Sequence, residues 1–295
     1  MTEVSHRPGA LALGALRPTS ATGSTRSLLL TVLGELVRPM EEPVWTASLL
    51  YVLGGLGIGE PTARQALARA SDADWLRGEK IGREVRWRVG EAGSELIDEV
   101  TRRVLSLNSA PERWDGRCLI VAVTVSEDRR TVRKRLYSAL EWAGFGNPAP
   151  GLWTSPHVDR LDETRQVIHE LGLQDSTIAF VGNTAPIGIA DAEIVRRAWD
   201  LNEVAGRYEH LIATFTGTNP GSGDEVLFAL LSLVDQWTQF PYMDPQLPHD
   251  LLPDWVGRRA TRLFIDLYRQ WAPMAQDRWQ EIVEMTTPSV TASAV

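Results

Sequence analysis

One cysteine, Cys118, stands in 295 residues. That excludes an intramolecular disulfide and any zinc or iron–sulfur centre built on several thiolates. The scarcity fits a reducing compartment, so the expected location is the cytoplasm. Long apolar runs are missing too. The first apolar stretch, 10–16 (ALALGAL), is short, broken by Gly14 and followed by Arg17-Pro18, which suits a disordered tail over 1–24 better than a secretory signal. No segment approaches the ~20 apolar residues that span a bilayer, so no membrane partner is expected. The chain also lacks a basic excess: 30 Lys and Arg against 38 Asp and Glu give a net charge of −8. With 43% hydrophobic and 23% charged residues, it is neither a collagen nor a low-complexity scaffold nor a wholly disordered chain.

Catalytic spacings are scarce as well. The cluster Gly54-Gly55-Leu56-Gly57-Ile58-Gly59 follows a helical pattern rather than a strand. No Lys-Ser/Thr pair trails it, so it reads as a turn and not as a phosphate loop. Histidines 6, 157, 169, 210 and 249 show no metal-ligand spacing, so neither a metal nor a cofactor is expected. Cys118 lies inside an apolar run, where a thiol behaves as a small hydrophobe. No catalytic residue is assigned, and the chain is not expected to be an enzyme.

The charge that is present is unevenly placed. Over 61–89, Arg64, Arg69, Arg77, Lys80, Arg83, Arg86 and Arg88 face only Asp72, Asp74, Glu79 and Glu84, a local +3 that leaves −11 for the rest. Nucleic-acid binding requires a local positive potential, not a basic whole protein. The same region has the right elements. Leu29, Val32, Leu33, Leu36 and Val37 repeat at helical steps until Pro39; a second helix from Trp45 presents Leu49, Leu50, Leu53 and Leu56. Pro61 suits a first helical position, and Ala63, Ala66, Leu67 and Ala70 give the third helix a narrow inward face. Thr62, Gln65 and Arg69 share its opposite face, with Arg64 on the flank. Val85, Trp87 and Val89 then alternate with Arg86 and Arg88, a two-residue period that predicts a strand after a hairpin at Gly78 and Gly82. Three helices and a basic hairpin predict a winged helix-turn-helix over 25–108. Thr62, Arg64, Gln65 and Arg69 are the candidate contacts to bases and phosphates, and Arg83, Arg86 and Arg88 the wing contacts. A small helical domain with a solvated hairpin is the alternative.

A second module begins near Trp114. The run 118–125 (CLIVAVTV) predicts a central strand, 128–143 a helix ended by Gly144-Phe145-Gly146, 151–156 a short strand, 159–171 a helix, and 176–181 another strand. This order predicts a ferredoxin-like domain over 109–188, suited to pairing two copies across its sheet. Its first helix carries Arg129, Arg130, Arg133, Lys134 and Arg135, readable as a solvated face with i,i+4 partners or as a phosphate contact. From 189 to 284 a helical domain is expected: one long helix with Ile194, Ala198, Leu201, Ala205 and Tyr208, a loop at 216–223, a helix at 225–237, proline-rich turns at 241–253 and a helix at 255–268. A tail at 285–295 follows. Eleven tryptophans supply core and could also line an aromatic pocket.

These motifs resemble the PaaX family of phenylacetate-catabolism repressors. The resemblance rests on Trp114-Asp115-Gly116-Arg117, on Leu140…Gly144-Phe145-Gly146…Leu152-Trp153-Thr154-Ser155-Pro156, and on Phe240-Pro241…Asp244-Pro245…Leu247-Pro248…Leu251-Leu252-Pro253…Trp255…Gly257. It covers roughly residues 26–268. It implies an α+β chain with an N-terminal winged helix-turn-helix, a central ferredoxin-like domain similar to Cas2 folds and a helical C-terminal domain. It further implies a homodimer that represses degradation genes at operator DNA and is released by an acyl-CoA such as phenylacetyl-CoA. Trp153, His157, Arg207 and Tyr208 are the candidate effector-binding residues, chosen as aromatic and cationic groups near the central and C-terminal modules. A Cas2-like metal-dependent nuclease and a winged-helix protein-interaction module are the rival readings.

Overall fold

The computed structural model describes residues 23–40, 42–107, 114–185 and 187–288. Most of the two expected tails, and the apolar stretch at 10–16, therefore lie outside the described residues. The chain divides into two compact units: residues 106–210 with 240–259, and residues 20–105 with 211–239 and 260–295. The expected C-terminal helical region is thus shared between them.

In the second unit, α1 (Thr25–Val32) begins where the Ser24 hydroxyl accepts the Ser27 N–H, an N-cap that satisfies one orphan donor of the first turn. A π-helical turn, Leu33–Val37, extends it, and Arg38 N–H reaches back to Leu33 O. A two-residue strand, β1 (Val44–Trp45), leads to α2 (Thr46–Gly55) and α3 (Glu60–Asp72). Leu49, Val52 and Leu53 of α2 are buried, while Leu50 and Leu56 are only half-buried. Gly57, at φ +84°, receives the chain after α2; its N–H and that of Ile58 bond to Gly54 O and Leu53 O. The glycine cluster is therefore a helix stop.

Strands β2 (Leu76–Ile81) and β3 (Glu84–Val89) form the hairpin, and β1 pairs on the other side of β3, giving the antiparallel order β1-β3-β2. Gly82, at φ +62°, makes the turn. Gly78 sits mid-strand instead, opposite Trp87, whose ring covers it so closely that a Cβ there would lie 2.8 Å from the indole. Sequence reading did not anticipate α4 (Glu91–Ser106), although Leu96 and Ile97 are buried on its inner face. It starts against the wing's base, where a Cβ on Gly90 would fall 2.2 Å from Asp74 O and one on Gly93 2.4 Å from Trp75 O.

The first unit holds the ferredoxin-like domain. Its order is β4 (Arg117–Val123), α5 (Arg130–Trp142), β5 (Gly146–Ala149), β6 (Leu152–Ser155), α6 (Leu161–Glu170) and β7 (Thr177–Asn183), with antiparallel sheet order β5-β6-β4-β7. Leu119, Val121 and Val123 alternate into a core with Leu136, Leu140, Phe145, Trp153, Val167 and Ile168. Helices α5 and α6 stop alike: Gly144 (φ +77°) and Gly172 (φ +62°) adopt the left-handed conformation, and Phe145 and Leu173 N–H groups bond to Leu140 O and Ile168 O.

The long helix expected across Ile194 to Tyr208 is instead two helices, α7 (Asp191–Ala198) and α8 (Leu201–Phe215). Trp199 between them is extended, at φ −126° and ψ 135°. Its indole lies where a Cβ on Gly146 would stand, 2.5 Å away, so packing on β5 outweighs helical continuity. Helix α9 (Asp224–Trp237) follows the loop at 216–223. The last helix, α10 (Val256–Thr286), runs 31 residues, far beyond the expected stop at Tyr268, with Pro273 inside it. Trp271, Ala275, Trp279 and Ile282 are buried at three- and four-residue steps, and that apolar stripe carries the helix through the missing donor. Among the described residues no helix is long and apolar enough to cross a membrane.

Candidate nucleic-acid interface

Helix α3 is amphipathic in the sense its sequence requires. Ala63, Leu67 and Ala70 are buried, while Thr62, Arg64, Gln65 and Arg69 are exposed. Small inward residues let the helix sit close to its neighbours, leaving a slim outward ridge. Arg64 is tied down by Glu60, one turn earlier, at 2.8 Å. Thr62, Gln65 and Arg69 hold no side-chain partner among the described residues. An exposed i,i+4 ion pair contributes only ~0.3–0.5 kcal/mol, so Arg64 is released at little cost.

The wing separates its two faces by strand alternation. Val85, Trp87 and Val89 share one side; the Trp87 indole N–H donates to Thr46 Oγ1 at 2.8 Å, and that hydroxyl donates to Val85 O at 2.9 Å. Arg86 and Arg88 share the other side. Arg86 faces Glu79 directly across the ladder and pairs with it at 2.9 Å. Arg88 faces Arg77, a like-charge pair that is unfavourable unless countered. Asp74 counters it by taking the Arg77 guanidinium on both oxygens, at 2.7 and 2.9 Å. The Arg77 hydrogen bond holds the Asp74 carboxyl below its usual range, helped by the Ala92 N–H. Asp74 ends α3 in the left-handed conformation, φ 54°, where glycine is the usual choice. Its carboxylate explains the exception, since it joins the stop of α3 to the wing and to the start of α4. Arg83 is exposed at the hairpin tip and Arg88 on the outer face, neither with an ion-pair partner among the described residues. Sequence reading counted Arg77 as charge without giving it a role; its register opposite Arg88 is the signal that was missing.

The candidate effector residues are all in the first unit and fall into three environments. Trp153 is 1% exposed and fills the ferredoxin-like core, edge-on to Tyr137 with centroids 4.8 Å apart. Arg207 is exposed and pairs with Glu203 on its own helix. His157 and Tyr208 both meet the segment 240–246. The His157 Nε2 lies 2.8 Å from Pro245 O; a carbonyl only accepts, so Nε2 carries the proton of the neutral ring. Burial, with the Arg160 charge, pushes the His157 ring below its ordinary range. Tyr208 stacks on Phe240 at 3.9 Å and its hydroxyl donates to Asp244 Oδ2 at 2.8 Å. Trp255 Nε1–H donates to the same oxygen at 2.8 Å, and Gln246 N–H to Oδ1 at 2.7 Å. Burial raises the Asp244 carboxyl, and these donors pull it back. His157 and Tyr208 thus share a segment; Trp153 and Arg207 stand apart from that aromatic network. Sequence reading quoted Asp244 as part of a motif and missed it as the hub. Among the described residues no grouping of His, Cys, Asp and Glu could hold a metal ion. Burial raises the Cys118 thiol in β4, as suits an inert small hydrophobe.

Three family models match consecutively: PaaX-like protein over residues 24–93, the PaaX protein central Cas2-like domain over 111–195, and the PaaX-like protein C-terminal domain over 199–281. The chain is 32% identical over 275 residues to the transcriptional repressor PaaX of Escherichia coli (strain K12), covering 88% of this chain and 82% of that protein. Among solved structures it is similar in fold to an uncharacterized protein, Rv0674, from Mycobacterium tuberculosis. The TM-score there is 0.63 and the identity 19%, over 88% of this chain and 99% of the other. With matched models along nearly the full length and a curated relative of this identity, the chain belongs to the PaaX family and is a transcriptional regulator rather than an enzyme.

Proposed function

We propose that this chain is a cytoplasmic repressor of genes for the breakdown of an aromatic acid of the phenylacetate type. On this reading it binds duplex operator DNA as a homodimer and leaves it when an acyl-CoA such as phenylacetyl-CoA binds. The observation that carries the DNA reading is the outward ridge of α3, where Thr62, Gln65 and Arg69 are exposed and uncommitted. A helix entering the major groove presents such side chains to base edges, with Arg64 and the wing residues Arg83, Arg86 and Arg88 on phosphates. The E. coli relative, a transcriptional repressor by name, supports the direction of regulation.

The homodimer reading draws on β7. Among the described residues this strand pairs only with β4; it contains no charged residue and exposes Ile178 at 70% and Phe180 at 53%. An apolar, uncharged edge strand is a template for pairing with another chain, and two copies meeting there obey the two-fold symmetry of a palindromic operator.

The test is gel-shift binding to the promoter DNA upstream of its own gene, at fixed salt, with and without phenylacetyl-CoA. The expected result is a specific complex that the acyl-CoA dissolves, and a loss of ~1–3 kcal/mol in operator affinity for Arg69→Ala if it contacts a base. A complex indifferent to the acyl-CoA discards the effector; no complex at any promoter discards the DNA reading in favour of a protein-interaction module.

A further inference from the structure

The basic run at the start of α5 takes no part in the interface described above. Arg129, Arg130, Arg133, Lys134 and Arg135 lie within seven residues, against Glu127 and Asp128 just before them. On a helix, positions three and four apart are neighbours, so Arg130 meets Arg133 and Lys134 directly. No carboxylate stands three or four residues along the helix from Arg130, Lys134 or Arg135 to answer them, apart from Glu127 ahead of its first turn. The i,i+4 ion pairs of a solvated face are thus missing.

Two of the five cations have structural work. Arg129 donates to Leu171 O at 3.1 Å, meeting a carbonyl at the end of α6, and Arg133 donates to Val125 O and Ser126 O, both at 3.1 Å. Arg130, Lys134 and Arg135 are exposed and hold no ion pair or side-chain hydrogen bond among the described residues. The first turn of α5 carries no acidic residue and no side-chain cap, so its free N–H groups add to the same positive field. Like charges at these spacings destabilise a helix. A chain of net charge −8 keeps them together here, where nothing of its own neutralises them.

We propose that this face binds the sugar–phosphate backbone of duplex DNA flanking the operator. A helix surface bearing extended, exposed cations suits a continuous polyanion, because a small phosphate ligand requires walls to enclose it. A cavity of this unit, about 490 Å³, lies elsewhere, between α6 and β7 around Leu119, Val121, Ile168 and Ala179. The inference rests on the operator-binding reading and adds a second, sequence-independent contact to it.

The test compares wild type with the triple variant Arg130→Ala, Lys134→Ala, Arg135→Ala. Alanine at exposed helix positions preserves the helix, and leaving Arg129 and Arg133 intact keeps their carbonyl contacts. Each protein is titrated across salt with the footprinted promoter fragment, and with the same fragment lengthened by a helical turn or two on each side. Equal binding of the short fragment and a shallower salt dependence on the long one are expected from the variant. Three lost phosphate contacts lower the slope by about 2.7, so a fourfold rise in salt costs wild type roughly 40-fold more than the variant. Identical slopes on the long fragment overturn the flanking contact while leaving operator binding intact. A variant that binds both fragments normally but loses its response to phenylacetyl-CoA overturns it in favour of a small-molecule phosphate site. Failure of wild type to bind either fragment overturns the operator reading and this inference with it.

Discussion

Asp244 offers the sharpest test of how the first unit is held together. Its carboxylate takes three donors: Tyr208 OH and Trp255 Nε1–H on Oδ2, both at 2.8 Å, and Gln246 N–H on Oδ1 at 2.7 Å. Asp244→Ala orphans all three in a buried site, each at ~1–3 kcal/mol, and partial refilling by water brings the expected loss to about 3–5 kcal/mol. Asp244→Asn is more discriminating. An amide offers one acceptor oxygen and one donor group, so it cannot serve both sides. If its oxygen faces Gln246, the hydroxyl of Tyr208 can turn to accept, but the Trp255 indole is donor-only. If it faces the aromatic pair, the Gln246 N–H is stranded. Either way one buried donor goes unmet, a loss of ~1–3 kcal/mol. Tyr208→Phe keeps the 3.9 Å stack on Phe240 and removes a single donor, for ~1 kcal/mol. Urea unfolding read by far-ultraviolet circular dichroism, at unchanged denaturant slope, should give the order Ala, Asn, Phe from most to least destabilised. An Asn variant as stable as wild type would refute the argument, because it would mean the carboxyl is held as a neutral acid and not as a three-donor acceptor.

Three further substitutions test other contacts of the molecule. Gly93→Ala sets a Cβ 2.4 Å from Trp75 O, a clash with backbone that should displace α4 from the wing's base; a thermal midpoint lowered by several degrees, with weaker operator binding, is the expected readout. His157 is buried with its ring below the ordinary range. A depressed histidine contributes its stability above the unfolded value, near pH 6.5, and loses it as pH falls through the folded value; His157→Gln should therefore flatten the fall in stability below about pH 6.5, seen in melting curves from neutral to acid. Phe180→Asp puts a charge on the apolar edge of β7; light scattering should show monomers, with operator affinity falling alongside, if the dimer seam lies there.

Much of this fold was legible because its periodicities are local. The α3 face of Ala63, Leu67 and Ala70, the alternation of Val85, Trp87 and Val89, and the run 118–125 each follow from side-chain spacing, and the structure shows a helix and strands there. The failures share a cause of another kind. The break at Trp199 depends on Gly146, some fifty residues earlier, and the continuation of α10 past Pro273 depends on which partners bury Trp271 and Trp279. Helix α4 went unread because its start is fixed by backbone crossings at Gly90 and Gly93, which leave no periodic trace. At the site, exposed arginines could be picked out by composition, whereas the countercharges could not: Glu60, Glu79 and Asp74 decide which arginines are committed. Asp244 was visible only as one letter of a motif, since two of its three donors, Tyr208 and Trp255, come from elsewhere in the chain.

The second unit also bears on how the proposed effector would act on the proposed DNA binding. Its hydrogen bonds join the helix-turn-helix to the C-terminal helices at several points. Asp235 of α9 accepts from Gly23 N–H at 2.7 Å and from the Ser27 hydroxyl. Tyr51 of α2 donates to Asp224 at 2.7 Å, and Arg278 of α10 closes on the same carboxylate at 2.8 Å. Tyr268 donates to the Glu35 carboxylate at 2.8 Å, while Gln276 donates to Glu35 O at 2.5 Å in the π-helical turn. Burial raises the Asp235 and Glu35 carboxyls above their ordinary range, so separating either from its donors strands a buried acid. An effector that weakens operator binding 100-fold must prefer the released arrangement by ~2.7 kcal/mol. A single hydrogen bond to a charged group is worth ~1.5–3 kcal/mol. On the proposed acyl-CoA reading, exchanging one or two of these contacts supplies a difference of that size without wholesale detachment of the winged helix.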